Sequence, residues 1–223
     1  MTVRELVLLR HGPVEVAQGV CYGRTDVAPR GDPRELAVWA QAQIDPEAWI
    51  VSSPARRCTA LAHALVAQRN ACGSPLHPKP DDAQCGLSRA APCIDPRFAE
   101  MHFGAWEMRR YDSIDHDAIA LWAADTLGFR PPGGESVGDL CARVHAALDD
   151  WTRAAPSLVV VTHGGPMRAA LGYLLRWPAQ RWTTQQLHFG SLIRLRCEDG
   201  HWHFVEHRTA PLSASVGTAT VAT

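Results

Sequence analysis

At 223 residues, with 46% hydrophobic and 20% charged positions, the chain is long enough to bury a substantial core, which excludes global disorder and fits one large α/β domain or two small ones. A formal net charge of -1 excludes a globally basic protein built for nucleic acid or anionic membranes, so an anionic ligand needs a local cluster of positive charge. The seven cysteines are odd in number, scattered and free of CxxC pairs, which supports neither a disulfide framework nor a zinc site.

Met1 to Arg10 holds only a four-residue apolar run, Leu6 to Leu9, too short for the core of a signal peptide, and no later stretch could span a bilayer. The expected location is therefore the cytoplasm. Glu5 to Arg10 reads as a buried strand that stops at a polar triplet, Arg10-His11-Gly12. Leu36, Trp39, Ala40 and Gln43 give helical spacing over Glu35 to Gln43, and Trp49 to Ser53 is a second short strand that runs into Pro54. Alanine- and leucine-rich Cys58 to Arg69 predicts a helix. Asn70 to Pro92 has prolines, glycines and serines in no period and predicts a long loop, which contains Lys79, the only lysine. Ile94 resumes an extended segment.

Tyr111 to Leu127 and Val137 to Arg153 have helical character, split by Pro131-Pro132-Gly133-Gly134, with Ser136 placed to cap the second. Ser157 to Thr162 is the clearest buried strand and ends at His163-Gly164-Gly165, after which Pro166 to Leu175 reads as helix. Ser191 to Cys197 and His201 to His207 predict a hairpin around Glu198-Asp199-Gly200, and the small, uncharged residues from Thr209 onward predict a mobile tail. Strands alternating with helices imply an α/β fold, a mostly parallel sheet covered on both faces.

Functional groups in such sheets gather where strands end at their carboxyl edge. Three strand ends carry similar chemistry: Arg10-His11-Gly12, Ser52-Ser53-Pro54 followed by Arg56-Arg57, and His163-Gly164-Gly165. Their convergence would gather two imidazoles and two or three guanidiniums, with glycines that let backbone approach a ligand, around a tetrahedral dianion. A single histidine after a strand is more often structural; the coincidence of motifs singles out His11 and His163.

The chain resembles the histidine phosphatase superfamily, which also contains the cofactor-dependent phosphoglycerate mutases. The residues that carry the resemblance are LVLLRHG (Leu6 to Gly12), VSSPARRC (Val51 to Cys58), FAEMHFGAWE (Phe98 to Glu107), PGGES (Pro132 to Ser136) and VVVTHGGPMRAAL (Val159 to Leu171). GVCYGRTD (Gly19 to Asp26) is similar to the α-ribazole phosphatase branch, which dephosphorylates a cobamide nucleotide-loop precursor. The resemblance implies a three-layer α/β/α sandwich of phosphoglycerate mutase type, one domain over 1–208 with a helical lid at about 103–155 and a flexible tail at 209–223. It implies His11 as the nucleophile that takes the phosphoryl group, Glu100 as the proton donor, and Arg10, Arg57, His163 and Gly164 around the phosphate, with Cys21, Tyr22 and Gly23 at the substrate pocket. Core packing stays open as the other reading of Cys21 and Tyr22.

The activity implied is metal-independent hydrolysis of a small organic phosphate ester, with α-ribazole 5′-phosphate as the specific candidate and no cofactor. Phosphotransfer of mutase type, non-catalytic phosphate binding and metallohydrolase chemistry are the competing readings. The expected partner is a small-molecule phosphate ester, with neither nucleic acid nor membrane; the oligomeric state is left open, a homodimer among the options. Arg56 reads as surface charge, Trp106 and Glu107 as scaffold, and Glu135 and Ser136 as either ligand contacts or helix caps. His102, His116, His145, His188, His201 and His203 show no partner pattern. Pro13-Val14 after the RHG triplet and the length of the 70–92 loop depart from the family pattern.

Overall fold

The computed structural model describes residues 4–71 and 89–212. In chain order the elements are β1 (Arg4–Arg10), α1 (Pro33–Gln41), β2 (Trp49–Ser52), α2 (Arg56–Ala71), β3 (Cys93–Ile94), α3 (His116–Ala124), α4 (Val137–Ala154), β4 (Ser157–Thr162), α5 (Gly164–Leu174), α6 (Ala179–Trp182), β5 (Ser191–Glu198) and β6 (His201–Thr209). Six strands form one sheet in the order β3-β2-β4-β1-β5-β6. The first four are mutually parallel, β5 runs antiparallel to β1 and β6 antiparallel to β5, so the expected mostly parallel sheet is present.

Alternation along the strands divides the core into two faces. Val7, Leu9, Ile50, Val159 and Val161 pack with Leu36 and Ala40 of α1 and Leu61 and Leu65 of α2. Leu6, Leu8, Val51, Leu158 and Val160 point the other way, onto Val144 and Leu148 of α4 and Met167 and Leu171 of α5. Each fully buried side chain of this kind contributes roughly 1.5–3 kcal/mol, so two apolar faces outweigh local propensity in fixing the three layers.

Caps explain where the helices differ from the apolar pattern. Helix α1 starts two residues before the expected Glu35, because Asp32 accepts from the Arg34 amide and Pro33 occupies the first turn. The expected helix from Tyr111 to Leu127 is interrupted: residues 111–113 form a 3-10 turn, and Asp115 caps α3 by accepting from the Asp117 amide. Ser136 caps α4 as expected, with Asp139 returning the bond in a capping box. The hairpin turns at Asp199-Gly200, both in the left-handed region (φ 50° and 80°) that suits a two-residue turn.

The segment expected as a lid, 103–155, divides in two. Residues 103–136 form turns and the exposed helix α3, whereas α4 is a core layer that buries Leu140, Val144, Ala147 and Leu148. Most of the expected 70–92 loop and the end of the tail, 72–88 and 213–223, lie outside the described residues. Among the described residues no helix is long and apolar enough to cross a membrane.

Candidate active site

Strands β2, β4 and β1 are neighbours in parallel register, with Arg10 opposite Thr162 and Ser52 opposite Val161. The residues that follow their carboxyl ends therefore stand side by side. The His11 amide donates to the Thr162 carbonyl at 3.1 Å and the Ser53 amide to the Val161 carbonyl at 3.0 Å. The His11 and His163 rings meet edge-on, 5.0 Å between centroids.

His11 is buried, and its Nδ1 lies 2.7 Å from the Gly12 carbonyl. A carbonyl only accepts, so Nδ1 carries the proton and Nε2 presents a lone pair. Burial, and then the charges of Arg10 and Arg57, hold this imidazole well below the usual histidine pKa, against the opposing pull of the Gly12 carbonyl. It is neutral at pH 7 and fit to be a nucleophile.

His163 is equally buried, with Nε2 2.7 Å from the Ser53 hydroxyl while Arg57 Nε donates to its Nδ1 at 3.3 Å. Arg57 is itself fully buried and donates to the Gly23 carbonyl at 2.6 Å and the Thr25 carbonyl at 2.9 Å. Glu107 holds that loop in place by accepting from the amides of Gly23, Arg24 and Thr25, which bears out its reading as scaffold.

Glu100 approaches from the segment after β3. Its carboxylate accepts from the Met101 amide at 3.0 Å and from the Gly165 amide at the start of α5 at 3.2 Å. A cavity of about 530 Å³ opens beside it, and Arg10, His11, Tyr22, Glu100, Gly165 and Arg168 contribute to its wall. Apolar surface from Met101, Phe103, Trp122, Val137, Leu140 and Trp182 makes up much of the remainder. Arg57 lines a separate cavity of about 200 Å³, which Glu100 also borders.

Of the residues expected at the site, Arg10, His11, Tyr22 and Glu100 face the large cavity. Arg57, His163 and Gly164 are not among its lining residues, and His163 would have to release Ser53 to offer Nε2–H to a ligand. Gly23 serves the loop backbone, and Cys21 packs with Trp106 and Ile114, where burial pushes its thiol up to about 11. Among the described residues no group of three or more His, Cys, Asp or Glu side chains is arranged to hold a metal ion.

Two features were absent from the sequence reading. Arg168 enters the cavity wall from one turn past Gly164, and its Nη1 and the Arg10 guanidinium both border the space above Gly164. The segment Gln185–Phe189 holds both cations: Arg168 Nε donates to the Gln185 carbonyl at 2.9 Å, Arg10 donates to the Leu187 carbonyl, and the Phe189 ring lies 4.6 Å under the Arg10 guanidinium. The i+4 spacing of Gly164 and Arg168 is the signal that could have found the arginine. Nothing in the composition of 185–189 marks it. Among the described residues Arg10, Arg57 and Arg168 make no ion pair; Arg10 and Arg168 share the large cavity with Glu100 and Arg57 borders the smaller one on its other side, an arrangement that calls for an anion.

The family model described as histidine phosphatase superfamily (branch 1) matches residues 6–210. A glucosyl-3-phosphoglycerate phosphatase of Mycolicibacterium vanbaalenii is 32% identical over 196 residues, 82% of this chain and 79% of that protein. A probable phosphoglycerate mutase of Yersinia pestis is 33% identical over 124 residues, 53% of this chain and 56% of its own. The solved structure of a mycobacterial glucosyl-3-phosphoglycerate phosphatase covers 91% of this chain and 97% of its own, with TM-score 0.68 and 25% identity. A putative α-ribazole-5′-P phosphatase from Escherichia coli covers 91% and 94%, with TM-score 0.71 and 19% identity, a likeness of fold.

Proposed function

Since the chain belongs to the histidine phosphatase superfamily, branch 1, we propose that it hydrolyses phosphate monoesters through a phosphohistidine at His11, without a metal. The observation that carries this reading is the neutral His11 ring, protonated on Nδ1 toward Gly12, with its other nitrogen beside a cavity walled by arginines and one carboxylate. Nε2 attacks phosphorus while Glu100 gives its proton to the departing alkoxide. Water then attacks the phosphohistidine as Glu100 takes a proton back, releasing inorganic phosphate. Arg10 and Arg168 meet charge on the non-bridging oxygens. Arg57 keeps a second N–H on each Nη beyond those given to Gly23 and Thr25, and His163 exchanges its Ser53 bond for a phosphoryl oxygen.

The unit that does this is one domain running from β1 through β6, with residues 103–136 over the cavity. For the leaving group, both cavity arginines lie near Gly164, where the phosphate belongs, while Phe103, Trp122 and Trp182 offer aromatic surface to the alcohol. That supports an alcohol that carries an aromatic ring system, such as the base-bearing ribose of α-ribazole 5′-phosphate, over an ester bearing a carboxylate. The test is a panel of α-ribazole 5′-phosphate, glucosyl-3-phosphoglycerate, 3-phosphoglycerate with 2,3-bisphosphoglycerate, and p-nitrophenyl phosphate, each with and without EDTA. The expected result is hydrolysis indifferent to EDTA with the highest kcat/KM on α-ribazole 5′-phosphate. Preference for glucosyl-3-phosphoglycerate would overturn the substrate, isomerisation of 3-phosphoglycerate without hydrolysis would overturn the phosphatase, and loss of activity with EDTA would overturn metal independence.

A further inference from the structure

The PGGES motif contributes a side chain that the mechanism above leaves unused. Glu135, at its end, pairs with Arg143 two turns along α4 through two parallel bonds, Nε to Oε2 at 3.1 Å and Nη2 to Oε1 at 2.7 Å. Arg143 spends its other N–H groups on backbone carbonyls: Nη1 donates to those of Arg97 and Ala99, both at 2.7 Å, and Nη2 to that of Glu100 at 3.1 Å. Glu135 Oε1 in turn accepts from the His102 amide at 2.9 Å. All five donors of the guanidinium are occupied, and four backbone groups flanking Glu100 end on one ion pair.

Both side chains are mostly shielded, with 17% and 13% exposure, yet neither lines the cavity. A shielded ion pair adds little net stability, because desolvation offsets most of the attraction. Its spending on the carbonyls and amide around one carboxylate residue points to placement instead. The fork is also specific to arginine: an ammonium at the end of a lysine could not reach three carbonyls and a bidentate carboxylate together.

We propose that Arg143 and Glu135 are positioning residues for the proton donor, fixing the 97–102 backbone so that the Glu100 carboxyl meets the leaving oxygen. This rests on the role given to Glu100 above. The test compares R143Q, R143K, E135Q, E100Q and the double variant R143Q/E100Q on two esters: glycerol 2-phosphate, whose alkoxide needs a proton to leave, and p-nitrophenyl phosphate, whose phenolate scarcely does. R143Q is expected to lower kcat/KM, which reports the step that expels the alcohol, about 100-fold on glycerol 2-phosphate and less than about 5-fold on p-nitrophenyl phosphate. R143K recovers only part of this loss. In the E100Q background, R143Q adds less than about 2-fold on glycerol 2-phosphate, because two changes acting through one group are not additive.

Equal losses on the two esters, or full additivity in the double variant, would overturn the proposal while leaving Glu100 as the acid. If R143Q fails to fold by thermal melting, E135Q, which keeps the three carbonyl contacts, carries the same comparison with a smaller split in the same direction. Wild-type enzyme inert to both esters, or E100Q with equal losses of kcat/KM on both, would remove the acid role itself and the proposal with it.

Discussion

The imidazole of His163 meets that of His11 at 67° and offers it neither nitrogen, because Nε2 is engaged with Ser53 and Nδ1 with Arg57. Two neutral rings therefore stand in contact with no proton shared between them. Burial is the main reason both stay neutral; for His11 the charges of Arg10 and Arg57 add to it, and for His163 the repulsion that a proton on His11 would exert adds to it, followed by the charges of Arg57 and Arg10. The nucleophile keeps its lone pair because its surroundings penalise a charge on either ring.

Stability should follow pH accordingly. Both histidines have folded-state pKa values depressed below their ordinary value of 6.5, so the unfolded chain binds more protons once pH falls under that value. The contribution is fully present above 6.5 and is lost as pH drops toward the folded values, by up to about 1.4 kcal/mol per pH unit for each ring. Urea denaturation between pH 7.5 and 5.5 should show this slope, to which the lowered pKa values of His145 and His207 also contribute, and His163→Gln should reduce it. A variant with the full wild-type slope would contradict the assignment.

Gly165→Ala separates activity from folding. A Cβ at this position would lie 2.2 Å from Glu100 Oε1, so the carboxylate must move off the α5 amide that holds it. The Cβ would also lie 3.2 Å from Leu140 Cδ2, so melting temperature is measured alongside to separate a change in stability from the loss of the Glu100 seat. We expect kcat/KM on glycerol 2-phosphate to fall at least about 10-fold, with p-nitrophenyl phosphate less affected. A variant active on both esters would show that the Glu100 carboxylate needs no such seat.

Arg168→Gln should cost about 100-fold in kcat/KM on every ester, the usual scale for one donor to a developing anion. Competitive inhibition by vanadate should weaken in parallel. Unchanged kinetics would return Arg168 to a structural role as the partner of the Gln185 carbonyl.

What the sequence made legible follows from how each residue is held. Continuous apolar runs at Leu6–Leu9 and Leu158–Val161, bounded by polar residues and glycine, fit buried strands in a covered sheet, and the parallel pairing of β1 with β4 sets His11 and His163 at one edge. The cap at Ser136 was visible from local sequence, whereas the reciprocal bond from Asp139 came from the structure. Contacts set by tertiary register were not. The bonds from Gln185 and Leu187 to two distant arginines depend on where the chain passes between α6 and β5, and no period records that path. The helix expected over Val137 to Arg153 falls within the expected lid because its sequence shows an amphipathic helix without showing what its apolar face meets, which is the sheet.

The most direct measurement is phosphoryl transfer to the protein. Rapid acid-free quenching after mixing with labelled phenyl phosphate, followed by peptide mapping, should find an alkali-stable, acid-labile label on His11, with none on His11→Ala and more retained when Glu100→Gln slows the water step. Turnover by His11→Ala at the wild-type rate, or a label on another residue, would contradict the account.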